Sequence, residues 1–206
     1  MAAHYEVVDD LVFPARLSRH ASLDFCNTWA GWDGRDTGDY LEDYDHLAVF
    51  AGFVGVLSEE RVASLRRRAH RRASEATSAL ESARRFRASL YDVLRHGDSA
   101  ASWDLVAQEV DAAAAARRLR RGTDGARWEI DLEVGLAAPA LAIAWSAGEL
   151  LTSPELGSVR ACPGVGCGWL FLDPRGRRRW CTMSTCGNRE KARRFAARQR
   201  TTRSRR

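Results

Sequence analysis

Cysteine is almost missing from the first 161 residues of this 206-residue chain, where Cys26 stands alone. A disulfide-stapled secreted domain is therefore not expected, and Cys26, between Phe25 and Asn27, reads as a small buried hydrophobe. The opening segment Met1 to Phe13 has Glu6, Asp9 and Asp10 where an export signal would carry basic residues and then an apolar run. Long apolar runs are also lacking. The longest, Val134 to Trp145, has twelve residues and is interrupted by Pro139, against roughly 18 or more for a membrane-spanning helix. A cytoplasmic protein with no membrane partner is the expectation. No solenoid-type repeat is present, and His4, His20, His46, His70 and His96 fall in no metalloprotease or nucleophile-elbow signature. No enzyme is expected on those grounds, although a constellation assembled in space stays open.

Acidic residues are scarce at one end. Residues 160–206 hold 14 Lys/Arg against Asp173 and Glu190, a balance of +12, while the preceding residues carry −7, for a total of +5. A field of one sign confined to a small module favours a polyanionic partner. For residues 200–206, with no apolar residue, a solvated basic tail is the simpler reading.

Periodicity points to an α+β chain, mainly helical over 1–155 with a small β element, followed over 156–206 by a zinc-ribbon-like hairpin and a basic helix. Leu17 to Trp29 is moderately apolar and gives way to the glycine-rich loop Gly31 to Asp39. Leu47, Phe50, Ala51, Val54 and Leu57 recur at helical spacing, and Ser58 suits the N-cap of a helix through Arg66–Arg72. Leu80, Ala83, Phe86, Leu90, Tyr91 and Leu94 mark another helical face ending near Gly97. Ser102 to Arg121, with alanines at 112–116, predicts a further helix. Trp128, Ile130, Leu132 and Val134 alternate with charged residues, the pattern of a half-buried strand, and Leu136 to Leu151 returns to helix. Thr152 to Ser158 reads as a linker.

The remaining cysteines form two like pairs, Cys162-x4-Cys167-Gly and Cys181-x4-Cys186-Gly. Paired cysteines on tight loops are what a tetrahedral zinc site needs, and four thiolates leave no coordination position for water or substrate. One structural Zn2+ held by Cys162, Cys167, Cys181 and Cys186 is the expectation; iron–sulfur proteins use other spacings more often. Gly168 to Leu172 and Arg177 to Cys181 predict the two strands of the hairpin, turned at Asp173-Pro174-Arg175-Gly176. Trp169, Phe171 and Trp180 suit its small core better than a base-stacking platform. A helix from Asn188 would display Arg189, Lys191, Arg193, Arg194, Arg198 and Arg200 beside Arg175, Arg177, Arg178 and Arg179, with Ala192, Phe195 and Ala196 turned to the hairpin.

The string from Cys162 to Cys167-Gly-Trp-Leu-Phe-Leu-Asp173, then Arg178-Arg179-Trp180-Cys181 and Cys186-Gly187-Asn188-Arg189, resembles the CGNR zinc finger. Leu23-Asp24-Phe25-Cys26-Asn27-Thr28 and Ser146 to Ser153 resemble the ABATE domain that precedes such fingers. The resemblance implies a stress-induced bacterial transcription regulator that binds DNA through its finger, with a first domain that binds a small effector or mediates homodimerisation. It makes Asn188 and Arg189 DNA contacts. The residues themselves equally allow Asn188 to cap the helix and Arg189 to pack over the zinc knuckle. Asp24, Asn27 and Thr28, polar among apolar neighbours, must be hydrogen-bonded to the protein or must line a small-molecule pocket with Trp29, Trp32 or Tyr44. An RNA- or ribosome-associated protein would use the same charge and aromatics.

Overall fold

The computed structural model describes residues 5–35, 37–97, 99–122 and 125–203, with side chains as far as residue 199. The expected strip position Arg200 and the tail beyond it lie outside the described side chains.

An antiparallel hairpin, β1 (Tyr5–Val8) and β2 (Leu11–Pro14), opens the chain. Its turn places Asp9 and Asp10 at φ 51° and 62°, the left-handed values that a two-residue hairpin demands and that Asp tolerates. The short helix α1 (Ala21–Cys26) is almost wholly buried and leads into β3 (Trp29–Ala30), which pairs with β4 (Gly38–Asp39). Three helices then follow the expected periodicity: α2 (Tyr44–Phe53), α3 (Glu59–Arg71) and α4 (Ala73–Arg95). Asp43 caps α2 by accepting from His46 N. Ser58 takes the N-cap position of α3 without a side-chain bond.

Helix α5 (Ala100–Ala115) ends six residues before the expected Arg121. The arginine-rich segment instead forms β5 (Arg117–Gly122), paired antiparallel with β6 (Gly125–Ile130) so that Leu119 faces Trp128. Cross-strand pairing and stacking of the Arg117 guanidinium on Trp128 and Trp145, 4.2 and 3.3 Å from the ring centroids, outweigh the modest helix propensity of the run. The expected strand through Val134 stops at Ile130. Asp131 then caps a 3-10 turn over Leu132–Ala137 by accepting from Glu133 N.

Helix α6 (Ala138–Leu151) is the centre of the fold, with α1, α2 and α5 packed around it. Its alanines at 138, 140, 142, 144 and 147 are buried and let those neighbours approach closely. Residues 132–151 form a stretch of 20 residues long and apolar enough to span a membrane, and most of it is buried within the fold. Phe25, Phe50, Phe86, Leu23, Leu47 and Ile143 fill the space between α6 and its partners. Each such fully buried side chain contributes about 1.5–3 kcal/mol relative to exposure.

The cysteine module begins with a 3-10 turn over Pro154–Ser158 and a hairpin of β7 (Val159–Ala161) with β8 (Leu170–Leu172). The hairpin is thus present with a different pairing. The strand before Cys162, not the segment 177–181, pairs with β8. The Asp173 carboxylate accepts from Arg177 N at 2.9 Å and Arg178 N at 3.0 Å, so the donors a returning strand would use are already taken. A π-helical turn over Met183–Gly187 runs into α7 (Asn188–Arg203). Thr182 is the N-cap, accepting from Thr185 N, and Asn188 has helical φ and ψ of −71° and −39°. Asn188 therefore lies inside the helix rather than at its cap. Ala192, Phe195 and Ala196, expected to face the hairpin, are exposed, Phe195 by 64%. The chain is α+β, with a mainly helical body, small antiparallel pairs, a cysteine hairpin and a basic terminal helix.

Candidate metal centre and basic helix

The hairpin loop between β7 and β8 presents Cys162 and Cys167, and the turn leading into α7 presents Cys181 and Cys186. All four are buried, with their sulfurs within 4.8 Å of one another. Cys181 Sγ lies 3.6 Å from both Cys167 Sγ and Cys186 Sγ. A tetrahedron with zinc–sulfur bonds of about 2.3 Å has edges of about 3.8 Å, so the cage has the right size. Gly164 keeps the space beside it open: a Cβ there would stand 3.0 Å from Cys186 Sγ and 3.4 Å from Cys162 Sγ, so the sulfurs would have to give by a few tenths of an ångström.

The donor set also points to a cation. Hydrogen bonds from Cys167 and the other thiols push the Cys162 thiol down, and that shared proton pushes Cys167 and Cys181 up. Four sulfurs this close cannot all ionise against one another, and a divalent ion removes the conflict. These residues fit one structural Zn2+. With four thiolates bound, the ion supplies folding energy and offers no open position for chemistry.

Around this centre Phe171 is buried, while Trp169, Trp180 and Leu17 are half-buried against it. The aromatics thus form the small core that the module otherwise lacks. Arg178 is committed to structure: its guanidinium lies over Phe171, 4.6 Å from the centroid, and donates to Cys181 O at 2.7 Å. Arg177 and Arg179 are exposed, Arg179 over Trp180. On α7 the side chains of Asn188, Arg189, Lys191, Arg193, Arg194 and Arg198 are all exposed. Glu190 pairs with Arg193 at 3.5 Å and Arg194 at 2.8 Å. Arg189 joins Cys167, Cys181 and Cys186 in lining a cavity of about 270 Å³ with Tyr5, Tyr40 and Trp169. It therefore stands over the knuckle and remains open to solvent.

None of Asp24, Asn27, Thr28 and Trp29 lines that cavity; Asn27 and the Trp29 carbonyl meet the knuckle, while Asp24 and Thr28 are held within the body. The Asn27 amide donates to Leu170 O at 2.9 Å and accepts from Leu170 N at 2.7 Å, so it pairs with β8 as a strand would. Trp169 Nε1 donates to Trp29 O, and Trp32 N donates to Cys167 O. Thr28 Oγ1 donates to Phe25 O and accepts from Arg87. Arg87 in turn makes a bidentate pair with Asp39 at 2.6 and 2.7 Å, which fixes the β3–β4 loop to α4. Asp24 accepts from Ser18 N and Ser18 Oγ, but burial still pushes its carboxyl up to about 6.

Three contributors to this joint were not singled out as such in the sequence. Tyr91, counted only as part of a helical face, donates from its hydroxyl to Gly168 O at 2.8 Å, and burial pushes the phenol up, keeping it a donor. Trp32 stacks on Tyr91 with centroids 3.7 Å apart. Gly166 N donates to Asp33, which holds that exposed carboxyl below its ordinary range. Gly168, at φ 74°, has no room for a Cβ, which would meet Trp32 Cβ at 2.7 Å. A tryptophan and an aspartate in a glycine-rich loop were the available signal.

Among the described residues no histidine joins a nucleophile and a carboxylate in one relay. His96 pairs with Asp92 at 2.9 Å, and Ser102 Oγ donates to that same carboxylate rather than to the imidazole. Ser22 Oγ lies 3.0 Å from His20 Nδ1, but Ser22 is fully buried and beyond reach of a substrate.

A closed four-cysteine cage that joins a β-hairpin to a basic helix defines a structural zinc finger. The CGNR zinc finger model matches residues 158–199, and the ABATE model, described as "Putative stress-induced transcription regulator", matches residues 19–154. The chain belongs to the ABATE family and carries a CGNR zinc finger. Neither is an enzyme family. Curated proteins give no match.

Proposed function

We propose that this protein is a cytoplasmic bacterial transcription regulator that binds DNA through the zinc finger and α7. The observation that carries the reading is the exposure of α7 over its described side chains. A helix this basic, rooted by Cys186 in a metal cage and packed on little else, presents Arg189, Lys191, Arg193, Arg194 and Arg198 to a polyanion. Its diameter fits a major groove, where arginines read guanine edges. Arg177 and Arg179 extend the same basic surface, and Asn188 adds an exposed amide one residue before Arg189. The reading divides the chain into a sensing unit over 1–155 and a finger over 156–206, supported by the family matches over 19–154 and 158–199, with a joint between the two.

The test is binding of the zinc-loaded full chain to duplex DNA across a salt series, with RNA as competitor. Neutralising about five phosphates gives a log–log slope near −4.5. Arg193→Ala with Arg194→Ala reduces its magnitude by roughly 2. Equal or better competition by RNA, or binding that persists unchanged without zinc, overturns the reading.

A further inference from the structure

The body of the protein keeps one face that its own fold leaves uncovered. Trp103 on α5 is 40% exposed, and Leu119 and Trp128, opposite one another on the β5–β6 ribbon, are 58% and 57% exposed. Between α5 and α6 runs a cleft of about 450 Å³, floored by Val106, Val110 and Leu151 and walled by Trp103 and Trp145. The cleft and the ribbon are continuous, because the Arg117 guanidinium stacks on both Trp145 and Trp128. A two-stranded ribbon is marginal by itself, and apolar side chains at such exposure mark an interaction surface.

Charge is divided along this face. Asp111 and Glu149 border the cleft, and Asp104 stands two helical turns from Asp111 on the same side of α5. Among the described residues none of the three pairs with a cation within 4.0 Å. The ribbon is basic: Arg121, on the same face as Leu119, has no carboxylate partner among the described residues, while Arg118 and Arg120 project from the opposite face and share only Asp131, at 3.5 and 4.0 Å.

We infer that this face is the seat of a second copy of this chain, the basic ribbon of each protomer lying along the acidic cleft of the other. A two-fold axis requires one patch to be complementary to itself, and an apolar strip acidic at one end and basic at the other meets that condition. Helix and ribbon together span roughly 40 Å, and a strip of that length and about 15–20 Å width offers on the order of 600–800 Å² per protomer, near the standard interface. Nucleic acid fits worse, because Asp104, Asp111 and Glu149 would face its phosphates. A small molecule in the cleft would leave Leu119 and Trp128 in water.

Sedimentation velocity on the zinc-loaded full chain, without DNA, across the micromolar range and at low and high salt, tests this. A dimer that weakens with salt is expected. Arg121→Glu weakens it roughly tenfold, as does Asp104→Arg with Asp111→Arg, because each sets like charges together. All three substitutions in one chain restore association. Leu119→Ser, at an exposed position that costs little to folding, weakens it without altering net charge. A monomer throughout, a dimer indifferent to these changes, or no recovery in the combined variant overturns the inference. So does a monomeric chain whose DNA binding falls with the ribbon substitutions, which assigns the ribbon to nucleic acid. Because no DNA is present, failure of the finger reading is measured separately.

Discussion

Replacing Asn27 by leucine removes the side chain that ties the helical body to the zinc hairpin while keeping nearly the same volume. Asn27 and Leu170 are both buried, and the amide satisfies both the N–H and the C=O of Leu170. Without it those two backbone groups have no water to turn to. Each orphaned buried group costs about 1–3 kcal/mol, so the pair costs about 2–6 kcal/mol. In a chain of this size 1 kcal/mol moves Tm by about 2–4 °C, so a mid-range loss of about 4 kcal/mol lowers Tm by roughly 8–16 °C by calorimetry on the zinc-loaded protein. Leu170 is three residues past Cys167, so the loss is also felt at the metal. Zinc transfer to a chromophoric chelator should speed up, by up to tenfold for each 1.4 kcal/mol of docking energy lost. Asn27→Asp is the companion: its carboxylate can accept from Leu170 N but cannot donate to Leu170 O, so it is also destabilised. A Tm within about 2 °C of the parent and unchanged zinc transfer would falsify the claim that body and finger form one cooperative joint.

Cys181→Ser should drop bound zinc from one equivalent to none by native mass spectrometry, since zinc supplies about 10–16 kcal/mol in comparable small modules. The Trp32–Tyr91 stack against the knuckle predicts a parallel loss of near-UV circular dichroism on chelation. Arg87→Met strands the Asp39 carboxylate with Arg84 as its remaining partner, and chemical denaturation should show about 3–5 kcal/mol of lost stability. Burial raises the Asp24 carboxyl to about 6, so the folded state holds its proton more tightly than the unfolded chain. The Asp24 contribution to stability therefore declines as pH rises from about 4 to about 6 and is level above that. Asp24→Asn removes that decline. Acid also releases zinc from both chains, so the quantity to read is the difference in Tm between parent and variant at each pH; a difference constant from pH 4 to 7 refutes the assignment.

The legible parts were those in which local chemistry decides the outcome. Helices α2, α3 and α4 follow from apolar spacing that tertiary packing merely confirms, and the four cysteines declare their cage because few other arrangements use two like pairs. Ambiguity entered where a distant partner decides. Arg117 to Arg121 has helix propensity, yet Trp128 and Trp145 draw it into a ribbon, and nothing near Arg117 announces either. The same holds for the segment 177–181, whose backbone donors are captured by Asp173. Of the two readings left open for Asp24, Asn27 and Thr28, each side chain has a protein partner; for Asn27 that partner is 143 residues away, a distance no local pattern encodes.

That distance gives the polar motif of α1 its meaning. Asn27 reaches Leu170, and the Trp29 carbonyl receives Trp169, so the segment most like the family's first domain is also the socket for its finger. Zinc closes the hairpin that fills this socket, while the other end of the cage, at Cys186, starts α7. The metal thus sets the direction of a helix whose described side chains are exposed, against a body that grips the opposite side of the same cage. Loosening α1 or the Trp32 loop therefore removes contacts that hold the cage, and with it the root of the basic helix, against the body. Asn27→Leu removes the side chain that pairs with both backbone groups of Leu170, and with it the main polar tie between α1 and the finger.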